Sequence, residues 1–165
     1  MMNNIAVIPG SYDPITVGHL DIIKRSSALF KEVIVLICVN SSKRGFLDTQ
    51  TRKLLAEDAI SGLNNVRVEC CDYLFADYCH ENNVSVVVKG IRNHLDYTYE
   101  AELKNYNDRI FLDKFGKVPE TLFLSAAHSL CYCSSTFVRE MIKYNENISK
   151  YVPNADLLLK HINKL

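Results

Sequence analysis

Short runs of β-branched and other apolar residues alternate along this chain with longer stretches in which apolar positions recur at helical spacing. Five of the apolar runs predict β-strands, at residues 5–8, 33–39, 66–70, 84–88 and 121–124. The runs at 33–39 and 84–88 are almost continuously apolar, as in strands that are covered on both faces. The alternation predicts an α/β fold: a doubly wound, Rossmann-like parallel five-stranded sheet with helices on both faces.

Helical patterns lie between and after the strands. The first pattern begins at Leu20, with Gly18 and His19 in the first helical turn, and is expected to pack Leu20, Ile23 and Phe30 on the sheet. The second, from about 49 to 63, is expected to bury Leu54 and to turn Arg52 toward solvent. Further patterns predict a helix start at 73–78, a long helix at 96–115 and a helix from the Ser-Ser-Thr segment through 143.

Composition and charge narrow the class of protein. A chain of 165 residues is the size of one domain, so we expect residues 1–165 to form a single domain. Its 19 basic and 19 acidic residues give no surface suited to nucleic acid or to an anionic membrane. No apolar run approaches the roughly 20 residues of a membrane helix, and the chain does not open on a basic export segment. We therefore expect a cytoplasmic location, with no nucleic-acid or membrane partner and with the six cysteines reduced.

A zinc site is one interpretation of His128, Cys131 and Cys133, which lie close together in sequence. A tetrahedral zinc site needs a further ligand pair, and the sequence contains no Cys-x-x-Cys. We expect no protein-bound metal there.

The segment 9–19, which joins the first strand to the first helix, carries the most chemistry. Gly10 allows a sharp turn after the strand, and Asp13-Pro14 adds a second turn. Gly18 and His19 then fall in the first helical turn, where unpaired N–H groups favour an anion. The segment predicts a phosphate site in which the His19 ring donates to charge on phosphate oxygens, although a polar helix-start residue is the alternative for a Gly-His pair alone.

Basic residues follow two other strands. Lys43 lies after the second strand, while Lys89 and Arg92 flank Gly90 at the end of the fourth. Ligands of open α/β sheets bind beyond the carboxyl ends of the strands, so these cations suit a polyphosphate, with Arg92 able to grip in bidentate fashion. A solvated loop lysine remains the alternative for Lys43.

Two groups in the second half of the chain complete the candidate site. Asp96 and Glu100 lie four residues apart on one helical face, where a carboxylate accepts ribose hydroxyls or is simply exposed. The hydroxyls of Ser134, Ser135 and Thr136 cap the following helix, whose N-terminus suits a second phosphate.

These motifs resemble those of the nucleotidyltransferase superfamily. Thr16-Val17-Gly18-His19 matches its (Thr/His)-x-Gly-His signature, with Ser11 and Tyr12 standing for the usual Thr and Phe of the preceding turn. From residue 5 to about 153 the chain resembles the family of bacterial phosphopantetheine adenylyltransferases. That resemblance also rests on Ser42-Lys43, on Lys89-Gly90-Ile91-Arg92 followed by 96–100, on Asn107, and on 134–140.

The resemblance implies an enzyme that converts ATP and 4′-phosphopantetheine to dephospho-coenzyme A and pyrophosphate, the penultimate step of coenzyme A synthesis. It also implies Mg²⁺, a homohexamer and no covalent intermediate. His19 would stabilise the pentacovalent α-phosphate, Lys43 would assist it, and Arg92 would bind the ATP phosphates, which makes these three the catalytic residues.

The remaining roles are carried over in the same way. The expected ATP contacts are Ser11, Tyr12, His19, Gly90, Ile91, Arg92, Glu100, Leu130, Cys131, Tyr132, Cys133, Ser134, Ser135 and Thr136, with Glu100 on the ribose and 130–136 around adenine and phosphate. The expected phosphopantetheine contacts are Ser11, Lys43, Phe75, Lys89 and Glu140. The chain departs from the family at Lys89, usually Arg, at Tyr132-Cys133, usually Phe-Ile, and at Phe75, usually Leu or Met.

Two alternatives stay open. One is a nucleotidyltransferase acting on nicotinate mononucleotide or an alcohol phosphate, which the Lys-Gly-Ile-Arg and Ser-Ser-Thr segments disfavour. The other is a catalytically idle coenzyme A or nucleotide sensor on the same fold, which the intact His19 and Lys43 disfavour.

Overall fold

All five strands of the sheet run parallel, in the order β3-β2-β1-β4-β5. The structure is a computed structural model that describes residues 2–39 and 45–162. The strands are β1 (Met2–Gly10), β2 (Phe30–Cys38), β3 (Val66–Cys71), β4 (Val86–Ile91) and β5 (Glu120–Ser125). The predicted doubly wound α/β sheet is confirmed, and β4 extends three residues past its predicted end because Lys89, Gly90 and Ile91 stay paired with β5.

Helices cover both faces, as predicted. They are α1 (Val17–Leu29), α2 (Thr49–Ala59), α3 (Phe75–Glu81), α4 (His94–Phe115), α5 (Ser135–Lys143) and α6 (Ala155–Ile162), with a short 3-10 helix at His128–Leu130. Buried side chains of α1, α2, α5 and α6 share one apolar core with the sheet, and those of α3 and α4 form a second core on the opposite face. Among the described residues, no helix is both long and apolar enough to cross a bilayer.

The solvent side of α2 differs from the prediction. Arg52 is only 8% exposed and Leu54 is 41% exposed, the reverse of what the sequence suggested. The Arg52 guanidinium is stabilised inside because it donates to the Ser11 carbonyl at 3.2 Å and to Thr49 Oγ1 at 3.3 Å. Its contact with Ser11 ties α2 to the turn that follows β1.

The order of the strands fixes where a ligand site forms. β1 lies in the middle of the sheet, with β2 on one side and β4 on the other. The chain moves outward from β1 in one direction through β2 and β3, and in the other through β4 and β5. The carboxyl ends of β1 and β4 therefore border the topological switch point, where open α/β sheets bind ligands.

Candidate active site

A cavity of about 350 Å³ opens at this switch point. Five parts of the chain form its wall: the turn after β1, the first turns of α1, the end of β4, the first turns of α4 and the start of α5. The lining residues are Ile8, Pro9, Gly10, Ser11, Tyr12, Thr16, Gly18, His19, Ile22, Lys89, Gly90, Arg92, Asp96, Tyr99, Glu100, Ala126, Cys133, Ser134, Ser135, Thr136 and Arg139.

Tyr12 shapes the turn after β1. Its side chain is buried, its hydroxyl donates to the Ile8 carbonyl at 2.8 Å, and its ring packs edge-on against the His19 ring, with centroids 5.0 Å apart. A side chain at Gly10 would lie 3.0 Å from the Tyr12 ring, so this close approach requires glycine. The buried Tyr12 side chain therefore supports the His19 ring and limits its movement.

His19 is held in one tautomer. The backbone N–H of Thr16 donates to His19 Nδ1 at 3.0 Å, and Thr16 Oγ1 accepts the backbone N–H of His19 in a reciprocal helix cap. Since Nδ1 accepts, the ring proton lies on Nε2. Burial, reinforced by the nearby Arg92 guanidinium, lowers the pKa of His19 to about 4. At neutral pH the cavity wall thus carries an uncharged imidazole whose Nε2–H is the available donor.

The end of β4 supplies two cations, each beside a carboxylate of α4. The buried Lys89 Nζ lies 2.8 Å from Glu100 Oε2. Arg92 donates through Nε and Nη2 to the two carboxylate oxygens of Asp96, at 2.7 and 3.0 Å. The Lys89 contact is not aligned as a hydrogen bond, so the buried Glu100 Oε2 has no hydrogen-bond donor among the described residues.

The start of α5 closes the opposite wall. Ser134 caps the helix by accepting the Phe137 N–H at 3.0 Å, and Ser135 Oγ donates to the Pro14 carbonyl at 2.8 Å. Arg139 donates to the Asp13 carbonyl at 2.6 Å and to Thr136 Oγ1 at 3.0 Å. These bonds tie the start of α5 to the turn after β1, so two helix N-termini face one cavity.

Most of the residues that the sequence predicted to bind ligands lie together around this cavity. Ser11, Tyr12, His19, Lys89, Gly90, Arg92, Glu100, Cys133, Ser134, Ser135 and Thr136 all line the cavity. Tyr12 does so as a buried support, since its hydroxyl is already bonded to the backbone.

Six of the expected residues do not line the cavity: Ile91, Leu130, Cys131, Tyr132, Phe75 and Glu140. Phe75 packs with the core on the other face of the sheet, 6.2 Å from the Phe111 ring between centroids. Tyr132 and Glu140 are exposed. Lys43 lies outside the described residues.

Three supporting residues were missed by the sequence analysis. Asp13 accepts the N–H groups of Phe46 and Leu47, each at 2.8 Å, and so anchors the start of the segment that leads into α2. Arg139 and Thr16 were noted only as parts of motifs. The three-residue spacing of Thr16 to His19 and of Thr136 to Arg139 was the available signal, since side chains at that spacing meet on a helix.

The positions of the His, Cys, Asp and Glu side chains determine whether the protein itself can coordinate a metal ion. Within residues 2–39 and 45–162, no three His, Cys, Asp or Glu side chains converge as metal ligands. Asp13 accepts backbone N–H groups, Asp96 is paired with Arg92, and Glu100 lies beside Lys89. Of the two carboxylates that line the cavity, Asp96 is therefore bonded through both oxygens to Arg92, whereas Glu100 Oε2 lies beside the Lys89 ammonium without an aligned donor among the described residues.

Comparison with known proteins agrees with this geometry. The cytidylyltransferase-like family model matches residues 7–141, a range that contains every cavity-lining residue. The fold is also that of a solved Plasmodium falciparum nicotinic acid mononucleotide adenylyltransferase in complex with NaAD, with a TM-score of 0.69 and 16% identity over 98% of this chain and 95% of that one. Fold and site together define a nucleotidyltransferase of the cytidylyltransferase-like class.

Curated relatives narrow this class. The chain is 41% identical over 152 residues to a phosphopantetheine adenylyltransferase of Legionella pneumophila (strain Lens), covering 92% of this chain and 86% of the relative. It is 37% identical over 161 residues to one of Vesicomyosocius okutanii (strain HA), covering 97% and 99%. The chain belongs to the phosphopantetheine adenylyltransferase family.

Proposed function

We propose that the chain transfers the adenylyl group of ATP to 4′-phosphopantetheine, forming dephospho-coenzyme A and pyrophosphate. The observation that carries the chemistry is the neutral His19, fixed with its Nε2–H as donor beside Lys89 and Arg92 at the switch point. The identity of the acceptor is supported by family membership.

The reaction needs no protein nucleophile. A phosphate oxygen of phosphopantetheine attacks the α-phosphorus of ATP, and the bond from that phosphorus to the bridging oxygen of the β-phosphate breaks. The acceptor is largely a dianion near neutral pH, so no general base is required. His19 Nε2–H donates to a non-bridging α-phosphate oxygen, on which negative charge increases in the transition state.

We propose a division of the cavity between the two substrates that follows its charges and hydrogen bonds. Lys89 is proposed for the acceptor phosphate, together with Lys43, and Arg92 for the ATP phosphates. Glu100 is the better candidate for the ribose than Asp96, because Glu100 Oε2 has no aligned donor among the described residues whereas Arg92 engages both Asp96 oxygens. The start of α5 and the 130–133 segment would hold the phosphates and adenine.

We propose that magnesium acts in this site as part of the substrate. Mg²⁺ prefers oxygen ligands and is commonly held by one or two carboxylates plus substrate phosphates. Because Asp96 is paired with Arg92 and Glu100 already lies beside the Lys89 ammonium, we propose that the ion enters as MgATP, held chiefly by the phosphates. Its chemistry is neutralisation of phosphate charge.

We also propose a cytoplasmic homohexamer, as family resemblance implies. Exposed apolar side chains along α4 support assembly: Leu95 is 78% exposed, Tyr106 is 63% exposed and Leu112 is 51% exposed.

A comparison of acceptors tests the proposed function. Pyrophosphate release would be measured with ATP, Mg²⁺ and one of three acceptors: 4′-phosphopantetheine, nicotinate mononucleotide or glycerol 3-phosphate. We expect release with phosphopantetheine alone. Release with nicotinate mononucleotide instead would favour the alternative acceptor, and a folded protein that binds ATP but releases nothing with any acceptor would favour a sensor.

A further inference from the structure

The Asp96 carboxylate accepts hydrogen bonds from both the backbone and the side chain of Arg92. Asp96 Oδ2 accepts both the backbone N–H of Arg92, at 3.2 Å, and its Nε–H, at 2.7 Å, while Oδ1 accepts from Nη2 at 3.0 Å. The carboxylate therefore fixes the main chain and one edge of the guanidinium together. Such a bidentate pair gives orientation as well as attraction.

The other edge of the guanidinium has no hydrogen-bond partner among the residues that the structure describes. Nη1 and the second Nη2 hydrogen are not used by Asp96, and both side chains line the cavity. A planar guanidinium held along one edge presents its opposite edge as a fixed pair of donors, which matches two oxygens of a phosphate. Without Asp96 the side chain would rotate, and ordering it on binding would cost conformational entropy.

We infer that Asp96 is a positioning residue for the reaction, which acts by orienting Arg92 toward the phosphates of ATP. This inference rests on the proposed function. Asp96 also occupies the first turn of α4, where its backbone N–H donates to Asn93 Oδ1 at 2.9 Å. An effect on helix order must therefore be separated from an effect on Arg92.

The test is a double-mutant cycle of Asp96→Asn and Arg92→Ala, with steady-state kinetics and calorimetric titration of ATP. Asparagine keeps the size of the side chain but turns an amide toward the guanidinium. We expect Asp96→Asn to lower kcat/KM for ATP at least ~10-fold and to weaken ATP binding in the same direction, because misplacement of a phosphate-binding group is costly. In the Arg92→Ala background, Asp96→Asn should change kcat/KM less than about twofold, since it acts through Arg92.

Two further variants serve as controls. Asn93→Ala removes the helix cap but keeps the ion pair, so it should lower the melting temperature and leave kcat/KM within about twofold. Asp113→Asn breaks the comparable Arg109–Asp113 pair on the exposed part of α4 and should change neither property.

Three outcomes would overturn the inference: an equal loss from Asp96→Asn with and without Arg92, an equal loss from Asn93→Ala, or tighter ATP binding in Asp96→Asn, which would make Asp96 a competing counter-ion. An inactive wild-type protein would instead contradict the proposed function, and the ATP titrations would still decide the role of Asp96.

Discussion

His19 differs from an ordinary histidine because of two local contacts. The Thr16 N–H occupies Nδ1, and burial beside Arg92 lowers the ring pKa to about 4 from the usual 6.5. A neutral donor of this kind does not lose its proton as the pH rises through the physiological range. The histidine is thus suited to hydrogen bonding with the α-phosphate rather than to acid catalysis as a cation.

The pH profile of kcat tests this protonation state. Because His19 is already neutral well below neutrality, we expect kcat to vary less than about twofold from about pH 6.5 to about pH 8.5. A cationic His19 with an ordinary pKa would instead make kcat fall about tenfold per pH unit above about pH 6.5. The titration of its ring in NMR spectra, with a midpoint near 4, would confirm the assignment.

Lys89 is a second residue whose surroundings define its role. It is 9% exposed, and its ammonium lies 2.8 Å from Glu100 Oε2. A buried ammonium with one carboxylate neighbour still has donors for a phosphate. Where the family resemblance implies an Arg, this chain has Lys89, which keeps the charge but lacks the planar fork.

We expect Lys89→Ala to raise the KM for 4′-phosphopantetheine more than ~10-fold, the scale of a lost charged hydrogen bond of roughly 1.5–3 kcal/mol. Lys89→Arg should be nearly neutral, because it retains the positive charge. The KM for ATP should change much less in both variants. Steady-state kinetics with each substrate varied would decide, and a larger effect on ATP would assign Lys89 to the nucleotide instead.

Single residues were predictable from the sequence only where strand ends fixed their position. His19 was identified from its place in the segment between the first strand and α1, and Lys89 and Arg92 from their place at the carboxyl end of the fourth apolar run. The burial of Arg52 and the link from Arg139 to Asp13 were not predictable, since they depend on contacts between residues 41 and 126 positions apart. The tautomer of His19 depends on the local contact with Thr16, which the sequence suggests only through their spacing. Roles assigned by resemblance alone to Phe75, Tyr132 and Glu140 stay predictions, because these residues do not line the cavity.

At the scale of elements, close packing between α1 and β4 determines the shape of the cavity. A side chain at Gly90 would lie 3.0 Å from Ile22 Cγ1, and Ile22 is buried in the core. The first turn of α1 also lies near the segment before α5, but a side chain at Gly18 would lie 3.4 Å from the Cys133 carbonyl oxygen, an ordinary contact distance. Of these two glycines, Gly90 is therefore the one whose lack of a side chain allows the close approach of α1 to the sheet.

Gly90→Ala tests this packing. The added methyl group should push Ile22 and α1 outward, lowering the free energy of unfolding by about 1–2 kcal/mol, as overpacking does. Gly62→Ala is the matched control, because a side chain there meets nothing within 4 Å. Urea denaturation of both variants would provide the comparison, and equal stability would show that the contact with Ile22 yields without cost.

The elements themselves were largely predictable. The central strands β1, β2 and β4 were predictable because they are covered on both faces and therefore appear in the sequence as continuous apolar runs. Helix α6 was missed, although Asn154 caps it by accepting the Leu157 N–H at 3.0 Å. The apolar stripe of α6 is short, and α6 is stabilised by packing on the same core as α2. That long-range contact cannot be read from the sequence.

At the scale of the whole molecule, we expect the hexamer to form through exposed apolar surface. Zero net charge permits association, and burial of the exposed apolar side chains along α4 would drive it. Sedimentation velocity at micromolar concentration near physiological salt should show a species of six chains. A monomer under these conditions would refute the assembly while leaving the chemistry of the cavity unaffected.

The most direct test of the account is to identify the product. The wild-type protein and His19→Ala would be incubated with ATP, Mg²⁺ and 4′-phosphopantetheine, and dephospho-coenzyme A and pyrophosphate would be quantified by mass spectrometry. We predict equal amounts of the two products from the wild type, and a kcat at least ~10²-fold lower in His19→Ala with ATP affinity far less affected. Absence of dephospho-coenzyme A from folded wild-type protein, or a His19→Ala variant with unchanged kcat, would contradict the account.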